Sequence, residues 1–328
     1  MNLAEAFARA EEAAAAVRGT TSPNPPVGAV VLDSEGACVG VGATQPVGGD
    51  HAEVVALREA GERARGGTVV VTLEPCNHTG RTGPCTQALV EAQVARVCFA
   101  HPDPNPVASG GAAALERAGV SVTQLDEAST TLAPWLGSVA LGRPFVTVKT
   151  AHTLDGFTAA PDGSSKWITG EQARAHVHRD RLHRDAILVG TGTVLTDDPR
   201  LTARVPGADP EHHQPRRVVI GHRAVPDHAN LRRLGFQQFD SIPEALDRLW
   251  AEGARDLLVE GGAGLATSFF RAGLVDAVQA YVAPAFLGAG RGVFAGALGE
   301  SISDIQRYTL DRVTRLGQDV LLELVANR

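Results

Sequence analysis

The chain has 328 residues, more than one ordinary domain holds, so two domains are expected. Its 44% hydrophobic and 20% charged content is that of a globular protein, and a net charge of −7 argues against a general nucleic-acid binder. Four cysteines in so long a chain do not make a disulfide framework, the first residues lack a basic-then-apolar leader, and no apolar run reaches membrane length; a cytoplasmic protein with reduced thiols and no membrane partner is expected.

Residues 2 to 18 place Leu3, Phe7, Ala10, Ala14 and Val17 at helical spacing, with Gly19 as the stop. Pro23, Pro25 and Pro26 then enforce an extended loop. Val27 to Leu32 and Ala37 to Gly42 read as a hairpin around Asp33-Ser34-Glu35-Gly36. Helical spacing returns from His51 to Arg63, and the β-branched run Thr68 to Leu73 predicts a buried strand. A helix from Pro84 or Cys85 to Gln93, a strand from Val94 to Ala100, a helix over 111 to 118 and a strand from Val120 to Thr123 complete a sheet flanked by helices. From Leu125 to Arg143 the pattern loosens, with Pro134 as a break, so the domain boundary is placed at residue 144.

Within this first domain, His51-Ala52-Glu53 and Pro75-Cys76, with Cys85 nine positions on, carry a specific chemistry. One imidazole and two thiolates suit a tetrahedral zinc ion and leave a fourth position for water. Glu53, two residues past the histidine, takes a proton from that water and passes it to a leaving amine, the H-x-E…P-C pattern of zinc deaminases. Inert thiols or a structural zinc site are the alternatives. A structural site closes with four protein ligands, however, and Cys38 and Cys98 sit in apolar runs that read as buried strand.

The second part opens with the strand Pro144 to Ala151, which contains Lys149. A helix follows over 171 to 184, then strands at Asp185–Gly190 and Arg217–Ile220, a helix over 242 to 252, and a strand at Leu257–Val259. Val275–Val282 and Asp319–Val325 are late strands, and the alternation predicts a mostly parallel sheet. Glu260-Gly261-Gly262-Ala263-Gly264-Leu265 is a glycine-rich strand-to-helix turn, which either holds a dinucleotide phosphate on its amides or is simply a tight turn.

The first domain resembles the deaminase half of the bifunctional riboflavin-biosynthesis deaminase/reductase family. The resemblance rests on Thr21-Ser22-Pro23-Asn24-Pro25, Val27-Gly28, His51-Ala52-Glu53, Thr72 through Cys85, and His101 through Pro106. The long interval between the cysteines is typical of that family. Members usually carry proline where this chain has Gly83, and Gly-Lys-Gly where it has Ser109-Gly110-Gly111. The second half resembles the family's reductase domain through Val148-Lys149, Leu154-Asp155-Gly156, Trp167-Ile168-Thr169, Gly190 to Pro199 and Glu260-Gly261-Gly262.

The resemblance implies an α/β protein with a cytidine-deaminase-like zinc domain at 1–143 and a dihydrofolate-reductase-like domain at 144–328. It implies Zn2+ on His51, Cys76 and Cys85 with Glu53 catalytic, and a small-molecule substrate, a diaminopyrimidinone carrying a ribosyl 5-phosphate, met by Asn24, His78 and Arg81. From the residues alone Asn24 is equally an Asx cap, and Arg81 a solvated arginine. NADPH is implied on Ala151, Trp167, Thr193, Asp197 and the turn Gly261, Gly262, Ala263, Gly264 and Leu265, and the reductase substrate on Lys149, Ser165, Arg181, Leu201, Arg204 and Glu260. Arg181 and Arg204 suit a phosphate, which guanidinium binds bidentately, whereas a solvated helix arginine is the alternative for Arg181. His222 stands where the family often has a small polar residue beside the cofactor. The family tends to form homo-oligomers, so a dimer or tetramer is expected.

Overall fold

A computed structural model describes residues 1–78, 83–106, 108–205 and 213–327. The chain separates into two units, Met1–Gly142 and Arg143–Arg328. Arg143 belongs to the second unit, one residue before the expected boundary, because its guanidinium grips Asp276 through two bonds of 2.8 Å.

In the first unit, helix α1 (Leu3–Val17) precedes strands β1 (Gly28–Leu32) and β2 (Cys38–Ala43). Next come α2 (Ala52–Ala60), β3 (Thr68–Leu73), α3 (Cys85–Glu91), β4 (Arg96–His101), α4 (Gly111–Arg117), β5 (Ser121–Gln124) and α5 (Ala133–Leu141). The sheet runs β2-β1-β3-β4-β5. The β1 pairings with β2 and β3 are antiparallel, and those of β4 with β3 and β5 parallel. The two-residue period of the strands sorts their side chains to opposite faces. Val30, Leu32, Val70 and Cys98 meet Ala6, Phe7 and Ala10 of α1, while Val31, Val69, Val71 and Val97 pack with Ala56 of α2, Leu89 of α3, Leu115 of α4 and Trp135 of α5.

The stretch from Leu125 to Arg143 is more ordered than its composition suggested. Pro134 does not break structure; it stands in the first turn of α5, where its missing N–H is unneeded. Glu11 of α1 accepts bonds from Ser129 Oγ at 2.6 Å and the Thr131 amide at 2.7 Å, which ties this stretch to the first unit.

The second unit contains β6 (Phe145–Thr153), β7 (Phe157–Ala159), α6 (Glu171–Arg181), β8 (Ala186–Gly190), α7 (Thr191–Asp197), β9 (Arg216–Ile220), α8 (Asn230–Leu234) and β10 (Gln237–Phe239). It continues with α9 (Ile242–Ala251), β11 (Asp256–Val259), α10 (Ala263–Arg271), β12 (Ala277–Ala283), β13 (Arg291–Gly292), β14 (Tyr308–Leu316) and β15 (Asp319–Ala326). The sheet order is β10-β9-β8-β11-β6-β12-β15-β14. The first six strands are parallel, and β15 and β14 add antiparallel at one end. Helices α9 and α10 cover one face through Leu246, Leu249 and Phe269, while Val194 of α7 and Leu231 of α8 cover the other. The edge strand β14 and the helix α7 had not been expected.

Candidate functional sites: a metal centre and a dinucleotide cavity

His51 caps the N-terminus of α2, Cys85 opens α3, and Cys76 lies in the turn after β3. Two helix starts and one strand end therefore converge, although Cys76 is not itself helical. His51 Nδ1 lies 3.2 Å from Cys85 Sγ and 3.5 Å from Cys76 Sγ, and the three ligand atoms fall within 4.8 Å of one another. A tetrahedral zinc with ordinary bond lengths sets its nitrogen and sulfur ligands about 3.5–3.8 Å apart, so this donor set fits the ion. Cys76 takes the negative charge, pushed down to about 4 chiefly by the hydrogen bond from the Cys85 thiol, with His51 and the Cys85 amide also donating. The Cys85 thiol is pushed up by that same bond and by burial, and would shed its proton on binding zinc.

Glu53 follows His51 into α2 and is 4% exposed. Burial, then the Cys76 thiolate beside it, pushes its carboxyl up to about 7. A general acid–base works best with a pKa near the operating pH. Glu53 shares with His51 and Cys76 a cavity of about 280 Å³, which Asn24 and His78 also line. The Asn24 backbone turns onto Thr21, its amide donating to Thr21 O at 2.9 Å and its carbonyl accepting from Thr21 Oγ1 at 3.1 Å. His78 Nδ1 is buried without a hydrogen-bond partner among the described residues. Arg81 lies outside the described residues.

The same cavity shows residues that the motif reading passed over. Glu74, Asp103, Asn105 and Trp135 line it. Glu74 accepts from the amides of Asp103 at 3.2 Å and Ala112 at 2.9 Å, stitching the 101–106 loop and α4 to the ligand-bearing turn. Trp135 donates to Pro23 O at 2.9 Å and holds the proline loop over the site. The helical spacing of Ala133 to Leu141 was the one signal that could have brought Trp135 in. Gly111 is required where it stands, because a Cβ there would lie 1.8 Å from Pro75 O; at Gly83 a Cβ would meet nothing within 4 Å among the described residues.

In the second unit a cavity of about 840 Å³ opens along the C-terminal ends of the parallel strands. Ala151, Thr193, Asp197, Ser165, Lys149, Glu260 and the turn Gly261 to Leu265 line it together. Gly262 caps α10 with no side-chain bond, and the amides of Ala263 and Gly264 have no partner among the described residues. A helix start with free amides binds phosphate. A Cβ at Gly264 would project into open space, and one at Gly262 would press Thr193 Oγ1 at 3.3 Å, so bare backbone faces the cavity. These features fit a dinucleotide.

Several expected residues stand elsewhere. Trp167 is 70% exposed and stacks on Arg174 at 4.5 Å rather than lining the cavity. The Leu201 side chain is buried in the core with Ile187 and Val189. Arg181 is neither solvated nor free as a fork: Nε and Nη2 bind the two Glu260 oxygens at 2.6 and 2.8 Å, and Nη1 binds Thr202 O at 2.8 Å. Arg204 is exposed, with Nη2 3.1 Å from His178 Nε2. Lys149 lies 3.9 Å from Glu260 and is pushed down by burial, against the opposing pull of that carboxylate.

Residues 1–101 match the cytidine and deoxycytidylate deaminase zinc-binding region, and residues 144–322 match the RibD C-terminal domain. The chain belongs to the RibD family. A riboflavin biosynthesis protein RibD of Corynebacterium ammoniagenes is 60% identical over 286 residues, 85% of each chain. The RibD structure from Acinetobacter baumannii superposes with a TM-score of 0.86 at 36% identity, covering 100% of both chains. The Thermotoga maritima diaminohydroxyphosphoribosylaminopyrimidine deaminase/5-amino-6-(5-phosphoribosylamino)uracil reductase does so at 0.87 and 32%, covering 99% of each. As in the family, a deaminase-like zinc domain comes first and a reductase domain second.

Proposed function

We propose that this chain performs two consecutive steps of riboflavin biosynthesis: hydrolytic deamination of the phosphoribosylated diaminopyrimidinone by residues 1–143, then NADPH reduction of the ribosyl chain to ribityl by residues 144–328. The observation that carries the reading is a buried carboxylate, Glu53, sharing a cavity with His51 and Cys76 of a His51/Cys76/Cys85 cluster of zinc-ligand spacing. Zinc held by His51, Cys76 and Cys85 would supply a water acidified toward neutral pH. Glu53 would take a proton from the attacking water and give it to the amine nitrogen, which leaves as ammonia. Asn24 and His78 hold the ring.

NADPH supplies the hydride in the second domain; the protein supplies orientation and charge. Hydride reaches C1 of the opened ribosyl unit, and a balancing proton must reach the adjoining nitrogen. Lys149, which lines the cavity beside Glu260, would give it; Asp197 lines the same cavity and is exposed. Arg204, exposed beside His178, would offer positive charge to the substrate phosphate. Arg181 positions Glu260 instead of acting as a free clamp.

No helix among the described residues is long and apolar enough to cross a membrane. A cytoplasmic location is supported by four free cysteines. A homo-oligomer is supported by the unpaired edge of β14, where Leu310 and Val313 are 53% and 57% exposed. The test follows ammonia release and NADPH oxidation together on zinc-replete protein given the phosphoribosyl diaminopyrimidinone. Ammonia without NADPH, and NADPH oxidation only after deamination, is the expected result. Ammonia with no NADPH oxidation would remove the reductase assignment, and neither signal would remove both.

A further inference from the structure

The 840 Å³ cavity runs along one edge of the sheet, from Lys149 on β6 past Glu260 after β11 and Gly190 after β8 to Ile220 of β9 and Asp240 after β10. Four inter-strand steps separate β6 from β10, roughly 19 Å at about 4.8 Å each. The free amides of α10 lie at β11, one step from β6 and three from β10. A dinucleotide with its pyrophosphate on those amides and its reacting ring beside Lys149 must extend its other half toward β9 and β10. That half carries the one chemical difference between NADPH and NADH, a phosphate on the adenosine ribose.

Arg223 waits at that end. It lies on the turn after β9, lines the cavity, and has no carboxylate partner among the described residues. Its Nε is 3.4 Å from Thr191 Oγ1, and its Nη2 lies 3.1 Å from where a Cβ on Gly192 would stand, so the guanidinium rests across a glycine that leaves it room. Asp240 lines the same end and would repel a phosphate, but its carboxylate is paired with His222 Nδ1 at 3.1 Å. His222 itself does not line the cavity. Arg291, also without a carboxylate partner among the described residues, hangs on the β7–β13 ribbon that continues from β6.

We propose that Arg223 binds the ribose phosphate of NADPH and sets the preference for NADPH over NADH. This rests on the reading of the second domain as a nicotinamide-dinucleotide site. An arginine at the adenosine ribose accommodates the extra phosphate, where an unopposed carboxylate would favour the bare hydroxyl.

Fluorescence titration of the full chain with NADPH and with NADH tests it, using wild type, Arg223→Leu and Arg223→Lys. Wild type is expected to bind NADPH more tightly. Arg223→Leu should weaken NADPH binding roughly 10- to 100-fold, the size of a charged hydrogen-bonded contact, and leave NADH within about twofold. Arg223→Lys should fall between. In competition, adenosine 2′,5′-bisphosphate should lose potency on Arg223→Leu while adenosine 5′-phosphate keeps its own. A leucine variant that retains the NADPH preference, or weakens both dinucleotides equally, would overturn the role of Arg223 and leave the nicotinamide site standing. A wild type that binds neither would overturn the site and the role together. Arg223 is exposed, so its replacement should leave the melting temperature unchanged.

Discussion

Glu260→Gln isolates what holds the reductase cavity together. Glu260 and Arg181 are 7% and 12% exposed and meet at 2.6 Å, with Lys149 at 3.9 Å on the same carboxylate. Opposite charges centred about 4 Å apart interact by about 4 kcal/mol at an effective dielectric constant near 20. Removing one partner of a buried pair costs about 3–5 kcal/mol, because the other charge is stranded. Glutamine keeps the shape and a hydrogen-bond acceptor, so a loss of about 3 kcal/mol in the second domain is expected at pH 7. Urea unfolding followed by tryptophan fluorescence reads it, since Trp167 and Trp250, two of the three tryptophans, lie in that domain. Burial pushes the Glu260 carboxyl up, but Arg181 and Lys149 outweigh it and hold it below its ordinary value. A depressed carboxyl stabilises above its unfolded pKa of about 4.3 and loses that contribution as pH falls through the folded value. The gap between wild type and variant should therefore be full at pH 6 and shrink below about pH 4.3. Arg181→Met added to Glu260→Gln should recover part of the loss. A loss under about 1 kcal/mol at pH 7, the size of an exposed pair, or a gap that does not narrow on acidification, would refute the buried-pair argument.

Glu53→Gln should lower deamination by ~10²–10⁴-fold, the size of positioned acid–base catalysis, with zinc content by atomic absorption unchanged because the ligands are untouched. Cys85→Ser should lose zinc and deamination yet retain NADPH oxidation with the deaminated product, since the two cavities draw on different units. Gly111→Ala should lower the melting temperature of the first domain and the affinity for zinc, because its Cβ would drive α4 off the Pro75 carbonyl beside Cys76. Gly83→Ala, with open space around its Cβ, should do neither.

How much of this was legible in the sequence follows from what is local and what is not. His51-Ala52-Glu53 and Pro75-Cys76 are short-range signals, and residue type with spacing sufficed to bring the His51, Cys76 and Cys85 cluster into view. The β-branched runs marked the core strands because buried strands are apolar along their length. Strand order, by contrast, rests on pairings far apart in the chain, such as Phe145 of β6 beside Asp256 of β11, which no local pattern records. Helix α5 was hidden because a proline in a first turn looks like a break until the turn around it is seen. Most telling is Arg181: its residue type suits a phosphate, and only the fold, by placing Glu260 79 positions away within 2.6 Å, shows that its charge is already matched. Composition names what a side chain can bind; which partner reaches it first is decided by tertiary distance.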